Sequence, residues 1–258
     1  MVRRWAWTAA VVLASTACGG SNPSSTAPEL LPDLDQVAPR AVSVERRDGR
    51  ELLVFLSAVE NVGRGPLLVS GARPDTSQAD MSGTQLIRRS EGTTGTHPLR
   101  SKLRFVIAET HRHWHLLGFE SYELRTLRGK TVGRDHKTGF CLGDRYDAHV
   151  SVRLPGEPAD PVWTQECGRG QTDRLRIREG LSPGFGDDYV PRLEGQYIDV
   201  TGLPSARYLL VHRVNPGRDL RESRYSNNAA SALIVLRRDS RGPSVALLST
   251  CENSASCR

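Results

Sequence analysis

From Tyr208 the chain runs Tyr208-Leu209-Leu210-Val211-His212-Arg213-Val214, turns at Asn215-Pro216-Gly217, passes Tyr225-Ser226-Asn227-Asn228 and resumes as Ala232-Leu233-Ile234-Val235-Leu236. Two apolar stretches of strand length, bounded by Asn, Pro and Gly, read as strands joined by a loop. The same pattern recurs outward from this pair, at Leu52 to Val62, Lys102 to Glu109, Gly118 to Leu124 and Gln196 to Val200. No long stretch has the apolar periodicity of a helix. The fold predicted is therefore all-β, an antiparallel β-sandwich core with long functional loops and little helix. Between Leu154 and Gly180 the pattern lapses into Pro, Gly and charged residues, a long connection of the kind compact domains keep mainly for function or disorder. With 258 residues, 38% of them hydrophobic, the chain can bury a full core in one principal domain.

Ahead of the strands, Met1-Val2-Arg3-Arg4 precedes an apolar stretch from Trp5 to Ala14 and then Ser15-Thr16-Ala17-Cys18-Gly19-Gly20. A charged segment, an apolar segment and small residues at the end make an export signal. The apolar segment is too short to span a bilayer as a stable helix, so a removed signal is expected. Cleavage before Cys18 would leave an N-terminal cysteine, in a context resembling a bacterial lipoprotein processing box. Two acyl chains on Cys18, at roughly 0.8 kcal/mol per buried methylene, would hold the protein at a membrane surface. Plain secretion is the alternative. The expected organisation is a signal peptide at 1–17, a flexible Ser- and Pro-rich tether at 18–40, the principal domain at 41–240 and a C-terminal tail at 241–258.

The formal charge of +6 includes Arg3 and Arg4, so removing the signal leaves +4. No stretch interleaves basic and aromatic residues as a nucleic-acid surface would, and no nucleic-acid partner is expected. Apart from Cys18, four cysteines remain, Cys141, Cys167, Cys251 and Cys257, an even number suited to an oxidising compartment. Three pairings are possible. Cys251 with Cys257 is a natural local clip, which leaves Cys141 with Cys167. Of 35 basic residues only Lys102, Lys130 and Lys137 are lysines, so a lysine here is a residue that arginine did not replace.

The densest chemical signal is His111-Arg112-His113-Trp114-His115, three of the seven histidines within five residues. In a strand, alternate residues share a face, so the three imidazoles project to one side. Successive ligands start about 6.6 Å apart along a flat strand, so one metal can be reached only where the strand twists or bends. Imidazoles suit copper, zinc, iron and nickel, with copper bound tightest, and spacing alone does not choose among them. A zinc site with an activated water is the hydrolase reading.

The next segments decide between these readings. They are Asp135-His136-Lys137-Thr138-Gly139-Phe140-Cys141 and Gly180-Leu181-Ser182-Pro183-Gly184-Phe185-Gly186-Asp187-Asp188-Tyr189. With the histidine triplet they resemble the catalytic domain of lysyl oxidases, the protein-lysine 6-oxidases. The resemblance continues through Gln196-Tyr197-Ile198-Asp199-Val200-Thr201 and from Asn215-Pro216 to Tyr225-Ser226-Asn227-Asn228, in the family's order over most of residues 50 to 237. It implies copper on His111, His113 and His115, and a lysine tyrosylquinone cofactor made from Lys137 and Tyr189. A tyrosine oxidised near copper to a quinone accepts a nucleophile, and a neutral lysine amine is one. Arginine could not serve, because its guanidinium stays protonated. Two departures stand out: animal members have a denser cysteine framework, and the insertion between Cys167 and Gly180 is longer than the family pattern.

The resemblance implies a copper-dependent amine oxidase that turns primary amines, peptidyl lysine foremost, into aldehydes, with dioxygen consumed and ammonia and hydrogen peroxide released. A base must take the substrate α-proton. Asp187 and Asp188 adjoin Tyr189, and Asp187 matches the family's aspartate; His136 and His212 are further candidates. The partners implied are a lysine-containing protein or peptide, or a small primary amine, together with dioxygen, and a membrane through the Cys18 anchor alone. The protein is expected to be exported, as a cell-surface or periplasmic lipoprotein or as a secreted protein. Two other function classes are open to the residues alone: a noncatalytic copper-binding surface lipoprotein and a three-histidine zinc hydrolase.

Overall fold

The computed structural model describes residues 27–108, 112–137, 139–148, 152–191, 193 and 195–258. The expected signal peptide, Cys18 and His111 lie outside the described residues. In chain order the strands are β1 (Glu29–Leu30), β2 (Leu34–Gln36), β3 (Arg40–Arg47), β4 (Arg50–Asn61), β5 (Leu67–Ala72) and β6 (Asp80–Arg89). There follow β7 (Thr94–Ile107), β8 (Arg112–Leu117), β9 (Glu120–Thr126), β10 (Thr131–Arg134), β11 (Gly139–Phe140) and β12 (Tyr146–Asp147). The last are β13 (Arg176–Leu181), β14 (Phe185–Tyr189), β15 (Tyr197–Asp199), β16 (Ala206–Val214), β17 (Ala229–Asp239) and β18 (Gly242–Cys251). None of the described residues is helical, and the all-β expectation holds.

The strands form three antiparallel sheets. One runs β11-β8-β7-β6-β5-β13 with β1 added on β6; a second runs β10-β9-β16-β17-β18; the third centres on β4, flanked by β14, β15, β2 and β3. Their inner faces meet in one core, to which β4 gives Leu53 and Phe55, β7 Leu103, β8 Trp114, β9 Tyr122, β16 Leu210 and β17 Ile234. Burying a side chain of this size contributes roughly 1.5–3 kcal/mol, which explains why the most apolar stretches became the central strands. Each of the six stretches read as strands contains a strand among the described residues. The long connection between Leu154 and Gly180 has no described strand before Arg176.

Two expected boundaries are corrected. The tether predicted to reach residue 40 does not: Leu34–Gln36 pairs with β4, and Leu34, Val37 and Ala38 are buried. Glu222, 188 residues away, accepts a hydrogen bond from the Leu34 backbone at 2.8 Å and anchors this segment. The 241–258 tail is likewise part of the fold, because β18 pairs with β17 along its length. Strand β16 explains why. Tyr208, Leu210 and Val214 face the main core, whereas Leu209 and Val211 face outward and are covered by Cys257, partly buried Leu233 and Ala255. The Cys251–Cys257 disulfide folds the chain end onto that second apolar face.

Candidate active site

The site begins with alternation along β8. Trp114 is fully buried, its ring 5.7 Å from Phe105 and 4.8 Å below the Arg73 guanidinium. Its backbone N–H donates to Cys167 O at 2.9 Å and its indole N–H to Gln171 O at 3.0 Å. With Trp114 held on one face, His113 and His115 must share the other. Their ring centroids are 4.7 Å apart. The backbone hydrogen bonds from Trp114 and from Gly170 to Arg112 O lay part of the 154–180 connection along this strand, and the Cys141–Cys167 disulfide fastens it.

Strand β14 supplies the second component. Asp187 and Tyr189, two residues apart, turn to the same side, and the Tyr189 hydroxyl donates to Asp187 Oδ2 at 2.6 Å. Gly143 N–H donates to the same oxygen at 3.1 Å. Asp187 Oδ1 has no hydrogen-bond partner among the described residues, and Arg145 Nε lies 3.5 Å from it. Burial pushes the Asp187 carboxyl up to about 7, against the lowering effects of the Tyr189 hydrogen bond, Arg145 and Gly143. Burial also lifts the Tyr189 phenol well above its ordinary value, helped by the charges of Asp187 and Glu120.

Lys137 is the third component. It follows Asp135, whose Oδ1 accepts from Lys137 N–H at 3.0 Å. Gly195 packs against its backbone so closely that a Cβ there would fall 2.8 Å from Lys137 Cα, and the Gly195 φ of +76° independently favours glycine. Lys137 Nζ lies 4.9 Å from the Phe140 ring centroid and 5.2 Å from that of Tyr189. These elements enclose a cleft of about 230 Å³. His113, His115, Lys137, Asp187, Asp188 and Tyr189 line it, with Cys141, Arg145, Glu166, Arg169 and Leu193.

The cleft therefore gathers the described residues singled out on sequence grounds, except His136 and His212, which do not line it. His136 sits 5.3 Å from the Tyr197 ring. His212 is fully buried, its Nδ1 is 3.1 Å from Ser57 Oγ, and burial pushes its imidazole down to about 3, so it stays neutral. Arg145, Glu166 and Arg169 carry no signal in the sequence, being three charges among many. Cys141, Cys167 and Glu179 place three donor atoms within 4.8 Å, but both sulfurs are committed to the disulfide and are not free to bind a metal. Both expected disulfides are formed.

Residues 73–155 and 160–242 match the family model described as lysyl oxidase. Lysyl oxidase homolog 2 of Gallus gallus is 30% identical over 142 residues, 54% of this chain and 16% of the relative. Lysyl oxidase homolog 3A of Danio rerio is 29% identical over 143 residues, 54% of this chain and 17% of the relative. Lysyl oxidase homolog 2 of Homo sapiens is 29% identical over 140 residues, again 54% of this chain and 16% of the relative. The chain thus covers about a sixth of the length of these relatives. The cleft between its sheets brings histidine, lysine and tyrosine side chains together. The chain is a member of the lysyl oxidase family.

Proposed function

We propose that the chain is a copper-dependent amine oxidase of the protein-lysine 6-oxidase type, acting on primary amines and foremost on lysine side chains. The overall change is R–CH2–NH2 + O2 + H2O → R–CHO + NH3 + H2O2. The observation that carries this reading is the placement of Lys137 Nζ 5.2 Å from the Tyr189 ring centroid, in the cleft that also holds His113 and His115.

The donor chemistry fits copper. Two imidazoles face one cleft from one strand, and imidazole is a preferred copper ligand. His111, two residues earlier in the sequence, would complete the set. When present, copper and the quinone made from Lys137 and Tyr189 supply the oxidising power and return the electrons to dioxygen. The remaining work falls to side chains of this chain. Trp114, locked in the core, keeps His113 and His115 turned to the cleft. Asp187 holds the Tyr189 hydroxyl through Oδ2, which leaves Oδ1 for the substrate α-proton. A carboxyl that titrates near 7 can take and release a proton at neutral pH, as a general base must. Lys137 has to shed its proton before its amine can form a bond to the Tyr189 ring.

Export belongs to the same proposal: two disulfides suit an oxidising compartment, and the lipid anchor at Cys18 is proposed from the processing sequence. Copper-loaded protein matured in air should release hydrogen peroxide when given a primary amine. Lys137→Arg, which keeps the charge, should lower that rate to background. Amine-dependent peroxide retained in Lys137→Arg would remove the cofactor assignment. Absence of amine-dependent peroxide in the parent protein would leave a metal-binding lipoprotein or a zinc hydrolase.

A further inference from the structure

Asp187 has two unequal oxygens. Oδ2 accepts from the Tyr189 hydroxyl at 2.6 Å and from Gly143 N–H at 3.1 Å, whereas Oδ1 accepts no hydrogen bond among the described residues. An unpaired oxygen on a fully buried carboxyl is costly unless something nearby offsets it. Arg145 is that neighbour. Its Nε lies 3.5 Å from Oδ1, close enough for strong attraction and too far for a hydrogen bond that would occupy the oxygen. Its place is fixed at both ends: its backbone N–H donates to Gly186 O at 2.9 Å, and Nη2 rests 3.7 Å from Cys141 Sγ of the disulfide. The side chain is about one-third exposed, and Arg145 is among the residues that line the cleft.

We propose that Arg145 is a positioning residue for amine oxidation, holding Asp187 ionised at the wall of the cleft with Oδ1 unoccupied by any hydrogen bond among the described residues and so able to accept the substrate α-proton. This rests on the amine oxidase reading. In the step it serves, the substrate α-C–H bond breaks and the proton goes to Oδ1. The electron pair leaves the carbon as it reaches the aldehyde level, and dioxygen, reduced to hydrogen peroxide, finally takes it up. Arginine suits the task because it never loses its charge across the working pH range.

The groups around Asp187 make the effect of removing that charge one-directional. Tyr189 on its own strand, Glu120 from β9 and Glu179 from β13 are acids. Asp188 and Glu166 line the cleft as further acids, and the cations facing it are Arg145, Lys137 and Arg169, beside the two imidazoles of β8; Arg169 is paired with Glu166 at 2.7 Å, whereas Arg145 is the cation set against Asp187. Without Arg145 the Asp187 carboxyl holds its proton to higher pH. An adjacent arginine typically lowers an aspartate by about 1–3 pH units; the partial exposure of Arg145 puts the expectation at the low end.

The test is the pH profile of kcat/KM for a primary amine, measured on the copper-matured full chain. Arg145→Met should move the acidic limb up by about one pH unit, which is roughly a tenfold loss at pH 6 and little loss on the plateau. Arg145→Lys should return the limb toward the parent position, and Arg145→Gln serves if the methionine variant fails to fold. A neutral Arg145 variant that oxidises the amine with an unmoved limb overturns the assignment of Arg145 alone. A limb that moves equally in Arg145→Lys also overturns it, since charge would then not be the cause. A parent protein that oxidises no amine overturns the function on which this inference stands.

Discussion

Glu120, on β9, is buried among neutral partners. Ser57 Oγ donates to its Oε1 at 2.8 Å, Gln36 Nε2 to the same oxygen at 3.0 Å, and the Tyr122 hydroxyl to Oε2 at 2.9 Å. Burial pushes this carboxyl from an ordinary 4.5 up to about 7, although the three hydrogen bonds and Lys137 pull it down. Between those two values the folded chain keeps a proton that the unfolded chain has released. The stability this group contributes is therefore full below about pH 4.5 and is lost as pH rises through 7. Asp187 and Glu222, also raised to about 7 by burial, act in the same direction. Glu120→Gln, neutral throughout, should flatten part of the fall in Tm between pH 5 and pH 8, an effect on the order of 1–3 kcal/mol. Thermal unfolding followed by circular dichroism measures it, and a fall as steep as the parent's would show that Glu120 contributes none. Nothing in the sequence marks Glu120 or Arg145, because each acquires its role only from what burial and chain packing set beside it.

At the level of elements, the legible strands are those whose apolar content exceeds what a surface can carry. Strands β4, β7, β9, β15, β16 and β17 were readable for that reason. Strand β3, paired with β4, reads Arg40-Ala41-Val42-Ser43-Val44-Glu45-Arg46-Arg47, with four charges in eight residues. Edge strands of this kind carry charge and polarity to resist further pairing, which erases the pattern that betrays a central strand. Residues 27–38 escaped notice because their order depends on Glu222 and β4, far away in sequence. The C-terminal clip is predicted to matter through β16. Opening it with Cys251→Ser and Cys257→Ser together frees the chain end that covers Leu209 and Val211. The loss should be about 2–3 kcal/mol, read as a lower urea midpoint with little change in slope. An unchanged midpoint would mean that the tail stays in place without the disulfide.

Across the whole molecule, the cleft is assembled from four distant segments. His113 and His115 come from β8, Lys137 and Cys141 from the chain around β11, Glu166 and Arg169 from the long connection, and Asp187 with Tyr189 from β14. The histidines, Lys137, Asp187 and Tyr189 were legible in type and order, and the family resemblance implied that Lys137 meets Tyr189; Glu166 and Arg169 were not legible, since their place at the cleft requires three sheets to close on one core. The sheets do what a quinone-forming pair needs: they hold an amine and a phenol ring side by side in a walled space, with a buried carboxyl on the phenol. That Lys137 and Tyr189 become one covalent unit is the claim on which the proposed chemistry depends. Intact mass and peptide mapping of protein matured with copper in air address it directly. The expected result is a Lys137-containing peptide joined covalently to a Tyr189-containing peptide. Recovery of both peptides separate and unmodified from fully copper-loaded protein would contradict it.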